Sequence, residues 1–368
     1  MPRLQTNITK IAVIITILTH SLFYIGILGQ EYNAQTSPFK RCWKLETDKI
    51  TPYGAGSDNK GVIYLPLSNG KITSIDFRTG WKNWESELGG NVSSLPFYDD
   101  KNIYIISRTK ANFFLRSLSK DFGITNWKVS LDLTGEIFLI DANDKLLISS
   151  KDGEFSLVDK NSGEMIWRKN FDQKLSSTPI IFGNQIVFGT LSKKIFFYSI
   201  ENGNILYQFK TSTPPNVVSI VKNRYLFWGE NKGNSYLSDL ITKKIIWKVR
   251  YGAEISDVLV SQESFLISSL DNFIYYILIK TGKVIWKRRV NERLSFNSII
   301  DNKYAIIVTS ASQVADVIDI KSGKLLNQFT IENNNYFINS PHFSDNLFIF
   351  PTIKGLITFT NAELKCPW

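Results

Sequence analysis

The side chains that most often perform acid–base or nucleophilic chemistry are scarce in this chain of 368 residues. It has two histidines, His20 and His342, and two cysteines, Cys42 and Cys366. No Ser-His-Asp spacing, phosphate-binding glycine loop or metal-ligand cluster is evident in the sequence. Acid–base catalysis therefore has few candidates, and we interpret His342 as a structural histidine whose hydrogen bonds are satisfied.

A tryptophan that returns about every forty residues sets the organisation of the chain. The marks are Trp43, Trp84, Trp127, Trp167, Trp247, Trp286 and Trp368, and Tyr207 and Asn327 hold the same phase. The intervals are 41, 43, 40, 40, 40, 39, 41 and 41 residues, which define eight periods. A fixed period in this range predicts a repeat architecture, although such folds carry both enzymes and scaffolds.

A turn sequence comes before each mark. Good copies run from Asp76 to Trp84 and from Asp159 to Trp167. Glycine supplies the positive φ of the turn, and Asp, Asn, Ser or Thr hydrogen-bonds locally to hold it. Two copies look degenerate, because Gly123 is displaced in the copy ending at Trp127 and the copy ending at Trp247 has no glycine.

Short β-type runs come before every turn, for example 145–150 and 154–158. A further run with Ser or Pro precedes them, as at 92–96 and 175–179. No sustained helical periodicity is present between residues 50 and 360. Four antiparallel strands in each period predict an all-β fold, an eight-bladed β-propeller. A seven-bladed ring with one irregular period is the alternative.

We predict a structural role for the ring at each mark. It lies on the outermost strand of a blade, where it can be buried against the next blade, and its loss should cost about 3–5 kcal/mol. A role in ligand binding is the alternative. The predicted blade-docking residues are Trp43, Trp84, Trp127, Trp167, Tyr207, Trp247 and Trp286.

Ring closure is predicted to use the N-terminal segment. Trp43 and Trp368 mark equivalent positions, and the residues after Trp43 can pair as the outer strand of the last blade. This geometry brings Cys42 and Cys366 together. A disulfide between them would be worth about 4–5 kcal/mol in the chain-entropy model. We favour it over two free buried thiols because the chain carries an export signal.

The export signal lies in residues 1–29, which form either a signal peptide or a membrane anchor. Arg3 and Lys10 precede an apolar run from Ile11 to Leu28, which is at the short end for a membrane span. Cleavage after Gly29 is one interpretation. Residues 30–49 would then close the last blade, and residues 50–368 would form the propeller. We expect a secreted protein or one located in the periplasm or cell envelope, with membrane anchoring by the N terminus as an alternative.

The net charge of the chain is +10. The densest basic patch comprises Lys280, Lys283, Lys287, Arg288, Arg289 and Arg293. This patch is a candidate surface for an acidic partner or anionic lipid, and a solvated outer strand is the alternative. We do not expect nucleic acid as a partner of an exported chain that lacks a recognisable binding motif.

The innermost strands of a propeller surround a central channel. In this chain they would line it with polar residues that either solvate the channel mouth or receive an extended segment of a partner. The predicted lining residues are Ser93, Ser94, Ser176, Ser177, Asn216, Ser219, Ser256, Asp257, Asn297, Asn339 and Ser340.

The phrase Asp-x-x-Thr-Gly-x-x-x-Trp, intact from Asp76 to Trp84, resembles the tryptophan-docking motif of PQQ-like β-propeller repeats. The resemblance covers nearly the whole chain after the export signal. It implies one of two branches. Quinoprotein dehydrogenases bind pyrroloquinoline quinone (PQQ) and Ca²⁺, whereas BamB-like envelope propellers are not catalytic.

The features that the enzyme branch implies are missing from the sequence. It has no adjacent cysteine pair, and its loops are too short to carry the oxygen ligands of a calcium site. We therefore expect no cofactor, with PQQ and calcium as the alternative. The lipid-anchoring cysteine usual in the BamB-like branch is also missing after the apolar run.

The sequence thus predicts an exported, monomeric β-propeller that is not an enzyme. We expect it to be a protein–protein interaction scaffold, with an envelope or extracellular protein as its partner and a role in envelope or outer-membrane protein assembly. The alternatives are a PQQ-binding or small-ligand-binding protein and, after these, an active quinoprotein dehydrogenase.

Overall fold

The structure is a computed structural model. It describes residues 39–47, 50–58, 60–290, 294–300, 303–309, 312–344, 346–361 and 364–366. The predicted export signal, Arg293 and Trp368 lie outside the described residues. In the ranges that it describes, no helix has the length and apolar content needed to cross a bilayer.

Antiparallel sheets make up the described fold. There are eight, seven of four strands and one of five, and each forms one blade. The first strand in the chain, β1 (Phe39–Glu46), belongs to the last blade. Blade one contains β2 (Gly56–Ser57), β3 (Val62–Pro66), β4 (Lys71–Asp76) and β5 (Lys82–Glu87). Blade two contains β6 (Asn91–Val92), β7 (Phe97–Tyr98), β8 (Asn102–Arg108), β9 (Phe113–Ser119) and β10 (Thr125–Leu131). Blade three contains β11 (Ile137–Ala142), β12 (Lys145–Ser150), β13 (Glu154–Asp159) and β14 (Met165–Asn170).

The remaining blades repeat this order from the innermost to the outermost strand. Blade four contains β15 (Ile180–Phe182), β16 (Gln185–Thr190), β17 (Lys194–Ser199) and β18 (Ile205–Lys210). Blade five contains β19 (Pro215–Val221), β20 (Tyr225–Glu230), β21 (Asn234–Asp239) and β22 (Ile245–Arg250). Blade six contains β23 (Ile255–Val260), β24 (Ser264–Ser269), β25 (Phe273–Leu278) and β26 (Val284–Arg289). Blade seven contains β27 (Leu294–Ile300), β28 (Tyr304–Thr309), β29 (Val314–Asp319) and β30 (Leu325–Thr330). Blade eight contains β31 (His342–Ser344), β32 (Leu347–Thr352) and β33 (Gly355–Asn361), followed outwards by β1.

The core lies between the blades. The two middle strands of a blade are buried along their length, as in β12 and β13, because both of their faces are covered. One hydrophobic cluster joins Leu157 of blade three to Phe188 of blade four. The outermost strand β14 instead alternates half-buried and exposed residues. Each blade is thus stabilised by apolar contact with its neighbours.

A β-bulge precedes the docking position in the outermost strand. In blade three, Trp167 pairs with Leu157 and Met165 pairs with Val158, which leaves Ile166 as the extra residue. The same irregularity recurs in blades one, two, four, five, six and seven. A bulge increases the twist of a strand and redirects side chains, so it aims the ring at the next blade.

Ring closure occurs as predicted. Strand β1 pairs antiparallel with β33, from Phe39 opposite Asn361 to Glu46 opposite Gly355. The predicted disulfide is also present, with the Cα atoms of Cys42 and Cys366 5.5 Å apart. The alternatives of a seven-bladed ring and of two free thiols are wrong.

The prediction that Gly123 is displaced is wrong. Gly123 has a φ of +68° and occupies the turn in the same way as Gly163, whose φ is +76°. Both glycines lie four residues before their tryptophan. The copy differs at another position, because it has Ser119 where the copy ending at Trp167 has Asp159.

Candidate functional site

Six of the marks dock in the same way on the following blade. The indole Nε1–H of each tryptophan donates to a main-chain carbonyl just after the third strand of that blade. The donors are Trp43, Trp84, Trp127, Trp167, Trp247 and Trp286, and the acceptors are the carbonyl oxygens of Phe77, Lys120, Lys160, Ile200, Ile279 and Ile320, at 2.9, 2.8, 3.0, 2.8, 2.7 and 3.0 Å. Because Trp43 follows this rule, the interface that closes the ring, between blades eight and one, is built like the five others that have a tryptophan.

A turn glycine of the next blade faces the docked ring. A Cβ atom on Gly163 would lie 2.6 Å from the ring of Trp127, so a side chain there would displace the indole. The interface between blades four and five differs. Lys243 occupies the glycine position with a φ of +57°, and Tyr207 replaces the tryptophan. The Lys243 ammonium lies 5.7 Å from the centre of the Tyr207 ring.

Two of the predicted channel residues have a different role. Ser94 and Ser177 are buried, at 6% and 5% exposure, and their hydroxyl groups are engaged within their own blades. Their hydroxyl oxygens accept the N–H groups of Ile106 and Gly189, at 2.9 and 2.8 Å. The Ser-Ser-x-Pro sequence interrupts the innermost strand, and the serine hydroxyl replaces the missing main-chain partner.

Other predicted channel residues hold neighbouring blades together. The hydroxyl of Ser176 donates to the carbonyl of Pro215 in blade five, at 2.5 Å. The amide of Asn216 donates to Glu254, just before blade six, and to the carbonyl of Ile255, the first residue of that blade. The side chain of Asn297 lies outside the described residues. Since interactions between blades are invisible in a single repeat, the sequence pattern could not reveal these roles.

A cavity of about 650 Å³ opens at the channel mouth between blades one, two, three, four and eight. Its volume lies in the usual range of ligand pockets. It is lined by Tyr53, Val92, Ser93, Ser94, Leu95, Arg108, Phe113, Gly135, Glu136, Ile137, Phe138, Leu139, Ile140, Thr178 and Asn339. Of the residues that the sequence assigned to the channel, Ser93, Ser94 and Asn339 belong to this lining.

One side of the cavity is the edge of β11. Four consecutive residues of β11, 137–140, contribute to the lining, together with Gly135 and Glu136 just before the strand. A strand that presented one face would contribute alternate residues. The main chain of β11 therefore faces the cavity. Among the described strands, β11 pairs with β12 alone. In blade two, which also contributes to the lining, the innermost strand is interrupted between β6 and β7.

Two charged side chains lie in the lining, Arg108 and Glu136. Glu136 forms an ion pair with Lys151 at 3.0 Å. Arg108 is exposed, its guanidinium lies 4.9 Å from the centre of the Phe113 ring, and it forms no ion pair with the described residues. Burial, with a smaller effect from the Glu136 charge, raises the pKa of Tyr53, so this phenol stays neutral and can donate a hydrogen bond.

His342, the histidine considered for acid–base chemistry, has a structural role. His342 lies at the closure between blades eight and one, where its Nε2 is 2.7 Å from the carbonyl oxygen of Ala55. Burial lowers the pKa of His342, which keeps the imidazole neutral near neutral pH. Within the described ranges, no group of three or more His, Cys, Asp and Glu side chains could hold a metal ion.

The basic patch lies on the turn and outermost strand of blade six. Lys280, Lys283, Lys287 and Arg289 are exposed. Arg288 instead turns towards blade seven, where it lies 3.9 Å from Asp316 and donates to the carbonyl of Gly323. Arg293 lies outside the described residues.

Sequence reasoning missed the cavity because its residues come from five separate periods. Arg108 is the last residue of a strand that is otherwise buried, and the apolar run of β11 looks like any other core strand. The one available signal was the apolar innermost strand of blade three, where neighbouring periods carry Ser and Pro.

The fold and the docking contacts define an eight-bladed β-propeller of the PQQ-like class. A family model described as outer membrane protein assembly factor BamB matches residues 111–222 and 215–346. The chain belongs to this family.

Individual relatives are distant. The outer membrane protein assembly factor BamB of Moranella endobia (strain PCIT) is 22% identical over 271 residues, which cover 72% of this chain and 61% of the relative. The protein of the same name from Yersinia pestis is 24% identical over 144 residues, 38% of this chain and 35% of the relative. The matched part thus spans less than two thirds of the length of either relative.

Solved structures share the fold. The crystal structure of BamB from Moraxella catarrhalis has a TM-score of 0.71 at 14% identity and covers 88% of this chain and 99% of that one. The computationally designed Ika8 protein has a TM-score of 0.71 at 15% identity, with coverages of 86% and 98%. At such identities the likeness concerns the fold alone, since a designed protein matches as well as a natural one.

Proposed function

We propose that this chain is an exported, monomeric, non-enzymatic β-propeller that acts as a protein–protein interaction scaffold in the assembly of envelope or outer-membrane proteins. The observation that carries the proposal is the match of the BamB family model to most of the propeller. The relatives are named as outer membrane protein assembly factors, and we extend that role to this chain.

The distribution of polar groups supports a binding role. Ser94, Ser176, Ser177 and Asn216 are engaged in holding strands and blades together. The cavity at the channel mouth offers a concave surface with few charges. A rigid ring with such an opening suits the binding of another protein better than it suits proton transfer, which needs a titratable group beside a substrate.

The donor set of the cavity does not fit PQQ with calcium. Calcium takes six to eight oxygen ligands, usually including several carboxylates. The cavity has a single carboxylate, that of Glu136, among its described lining residues, and Lys151 is its ion-pair partner. We therefore propose that the protein functions without this cofactor.

The basic patch is a second proposed contact surface. Its exposed members Lys280, Lys283, Lys287 and Arg289 suit an acidic partner surface. Because rim charges act mainly on association rate, a contact there should weaken as the salt concentration rises.

Site-specific crosslinking in cells tests the scaffold role. A photo-crosslinking amino acid would replace Thr178 at the cavity rim, Lys283 in the basic patch or Phe122 on an exposed turn of blade two. We expect reproducible adducts with envelope proteins at one or more positions, identified by mass spectrometry. If no position in the full-length chain gives a specific adduct, the scaffold proposal is wrong.

A further inference from the structure

The cavity at the channel mouth combines apolar walls with a strand edge and a cation that have no pairing partner among the described residues. The strand edge is that of β11, and its exposed main chain offers hydrogen-bond donors and acceptors at regular spacing. The walls include Leu95, Phe113 and Phe138. The cation is Arg108. Each feature alone is ordinary in a propeller. Because all three meet at one opening, together they indicate which kind of ligand would bind there.

We propose that this cavity binds an extended peptide segment of the partner protein, which pairs with the edge of β11 and places a carboxylate on Arg108. The inference rests on the proposed scaffold function and names the site and the chemistry of the segment. The carboxylate belongs either to an acidic side chain or to a chain terminus, since both present the same two oxygens to a guanidinium.

The arginine suits a carboxylate for two reasons. Its guanidinium lacks an ion-pair partner among the described residues, and the neighbouring carboxylate of Glu136 is already paired with Lys151. The Phe113 ring, 4.9 Å away, orients the guanidinium and leaves its N–H groups for a ligand. Beside apolar walls such a pair is stronger than one fully in water.

The strand edge favours a peptide over a compact small molecule. The part of β11 that lines the cavity, residues 137–140, is about 13 Å long at the usual rise per residue. An added strand would use its main-chain groups, while pockets between Leu95, Phe113 and Phe138 would take alternate side chains. A compact ligand would leave most of this edge unused.

Peptide binding to the purified full chain tests the site. The probes are fluorescein-labelled pools of octapeptides with alternating apolar and polar residues. One pool ends in a free carboxylate, one ends in an amide, and one ends in an amide but carries an internal Asp. A fourth pool has alternate N-methylated residues, which cannot complete a strand ladder. The protein variants are Arg108→Gln and the matched control Arg250→Gln, an exposed arginine on the outermost strand of blade five.

We expect saturable binding of the free-carboxylate or Asp pool, and the difference between them identifies the source of the carboxylate. The affinity should fall about tenfold for the uncharged amide pool and for Arg108→Gln, and Arg250→Gln should bind like the wild type. N-methylation should abolish binding. Hydrogen exchange of residues 136–141 should slow when the peptide is bound, since the edge amides gain partners.

Three outcomes would overturn the site. These are no saturable binding of any pool, equal binding by wild type and Arg108→Gln, and undiminished binding of the N-methylated pool. If crosslinking in cells still captures envelope proteins at Lys283 or Phe122, the scaffold function stands and only the cavity assignment fails. If neither experiment detects a partner, both proposals are wrong.

Discussion

A docked indole in this propeller fills space and also satisfies a carbonyl that would otherwise be buried without a partner. Trp84 illustrates both contributions, because its ring lies near Tyr64 and its Nε1–H reaches Lys120 in the next blade. Trp81, three residues earlier in the same copy, is 78% exposed. Residue type alone therefore does not distinguish a docking tryptophan from a surface one, and the phase of the repeat does.

The first prediction compares these two kinds of tryptophan. Trp84→Ala and Trp167→Ala should each lower the free energy of unfolding by about 3–5 kcal/mol, because each leaves a cavity and an unpaired carbonyl. Trp81→Ala should change it by less than about 0.5 kcal/mol. Chemical denaturation of the three variants measures the difference. Equal stabilities for Trp81→Ala and Trp84→Ala would contradict the docking role.

The second prediction concerns pH. The folded-state pKa of His342 is lowered by burial, so the unfolded chain takes up the proton first as the pH falls below about 6.5. Stability should therefore decline below that pH. The melting temperature of the wild type should drop between pH 7.5 and 5.5 by more than that of His342→Gln. Parallel pH profiles for the two proteins would show that the histidine is not the cause.

At the scale of elements, the aromatic ring on the outermost strand of one blade is matched to the turn of the next blade that it packs against. Six interfaces pair a tryptophan with a carbonyl of the next blade. Between blades four and five, Tyr207 meets Lys243 instead. The smaller ring of Tyr207 leaves space for a turn residue that has a side chain. Lys243 adopts a left-handed backbone conformation, which costs free energy for lysine but not for glycine.

The third prediction is that this exceptional pair is coupled. Tyr207→Trp alone should be unfavourable because the larger ring meets the Lys243 side chain. Tyr207→Trp with Lys243→Gly should be more stable than the sum of the single changes by about 0.5–3 kcal/mol. Lys193→Gly is the control, since Lys193 also has a positive φ, 61°, but lies in a different turn. Double-mutant cycles measure the coupling of Tyr207→Trp with each glycine variant. We expect additivity with Lys193→Gly, and additivity with Lys243→Gly as well would contradict the matched-pair interpretation.

Elements that repeat were predictable, and contacts made once were not. The tryptophan phase predicted the blades, the outermost strands and the closure by β1, because the same local chemistry recurs. The channel residues were predicted less well. Ser94 and Ser177 are polar, and their burial depends on a strand interruption that is visible only in three dimensions. The cavity, including Arg108, depends on five blades together and has no counterpart in a single period.

At the scale of the whole molecule, the disulfide joins the closing strand to the far end of the chain. Cys42 and Cys366 are separated by 324 positions in the sequence. Without the bond, β1 is held in the last blade by pairing with β33, by contacts such as those of Trp43 and by ion pairs of Arg41 and Lys44 with Glu332. The covalent link therefore stabilises the pairing of β1 with β33, two neighbouring strands of the last blade that lie far apart in the sequence.

The fourth prediction follows from this link. Replacing both cysteines by serine should lower the free energy of unfolding without changing the fold. For the separation of 324 residues the chain-entropy model gives about 6 kcal/mol, above the ~4–5 kcal/mol expected for long loops in general. Wild-type protein unfolded in a reducing agent should match the variant, and circular dichroism should show the same β content for both. An identical stability of oxidised wild type and variant would mean that closure does not depend on the bond.

Closure by β1 also has a consequence for the order of events during synthesis. The strand emerges early, yet its partner β33 is made more than three hundred residues later. At about 5–20 residues per second, that delay is about 15–60 s. During this interval the earlier blades can assemble in sequence, while β1 is a strand with an unsatisfied edge. We therefore expect the pairing of β1 with β33 to be the last step of folding. Until then the unpaired edge of β1 needs protection from mispairing.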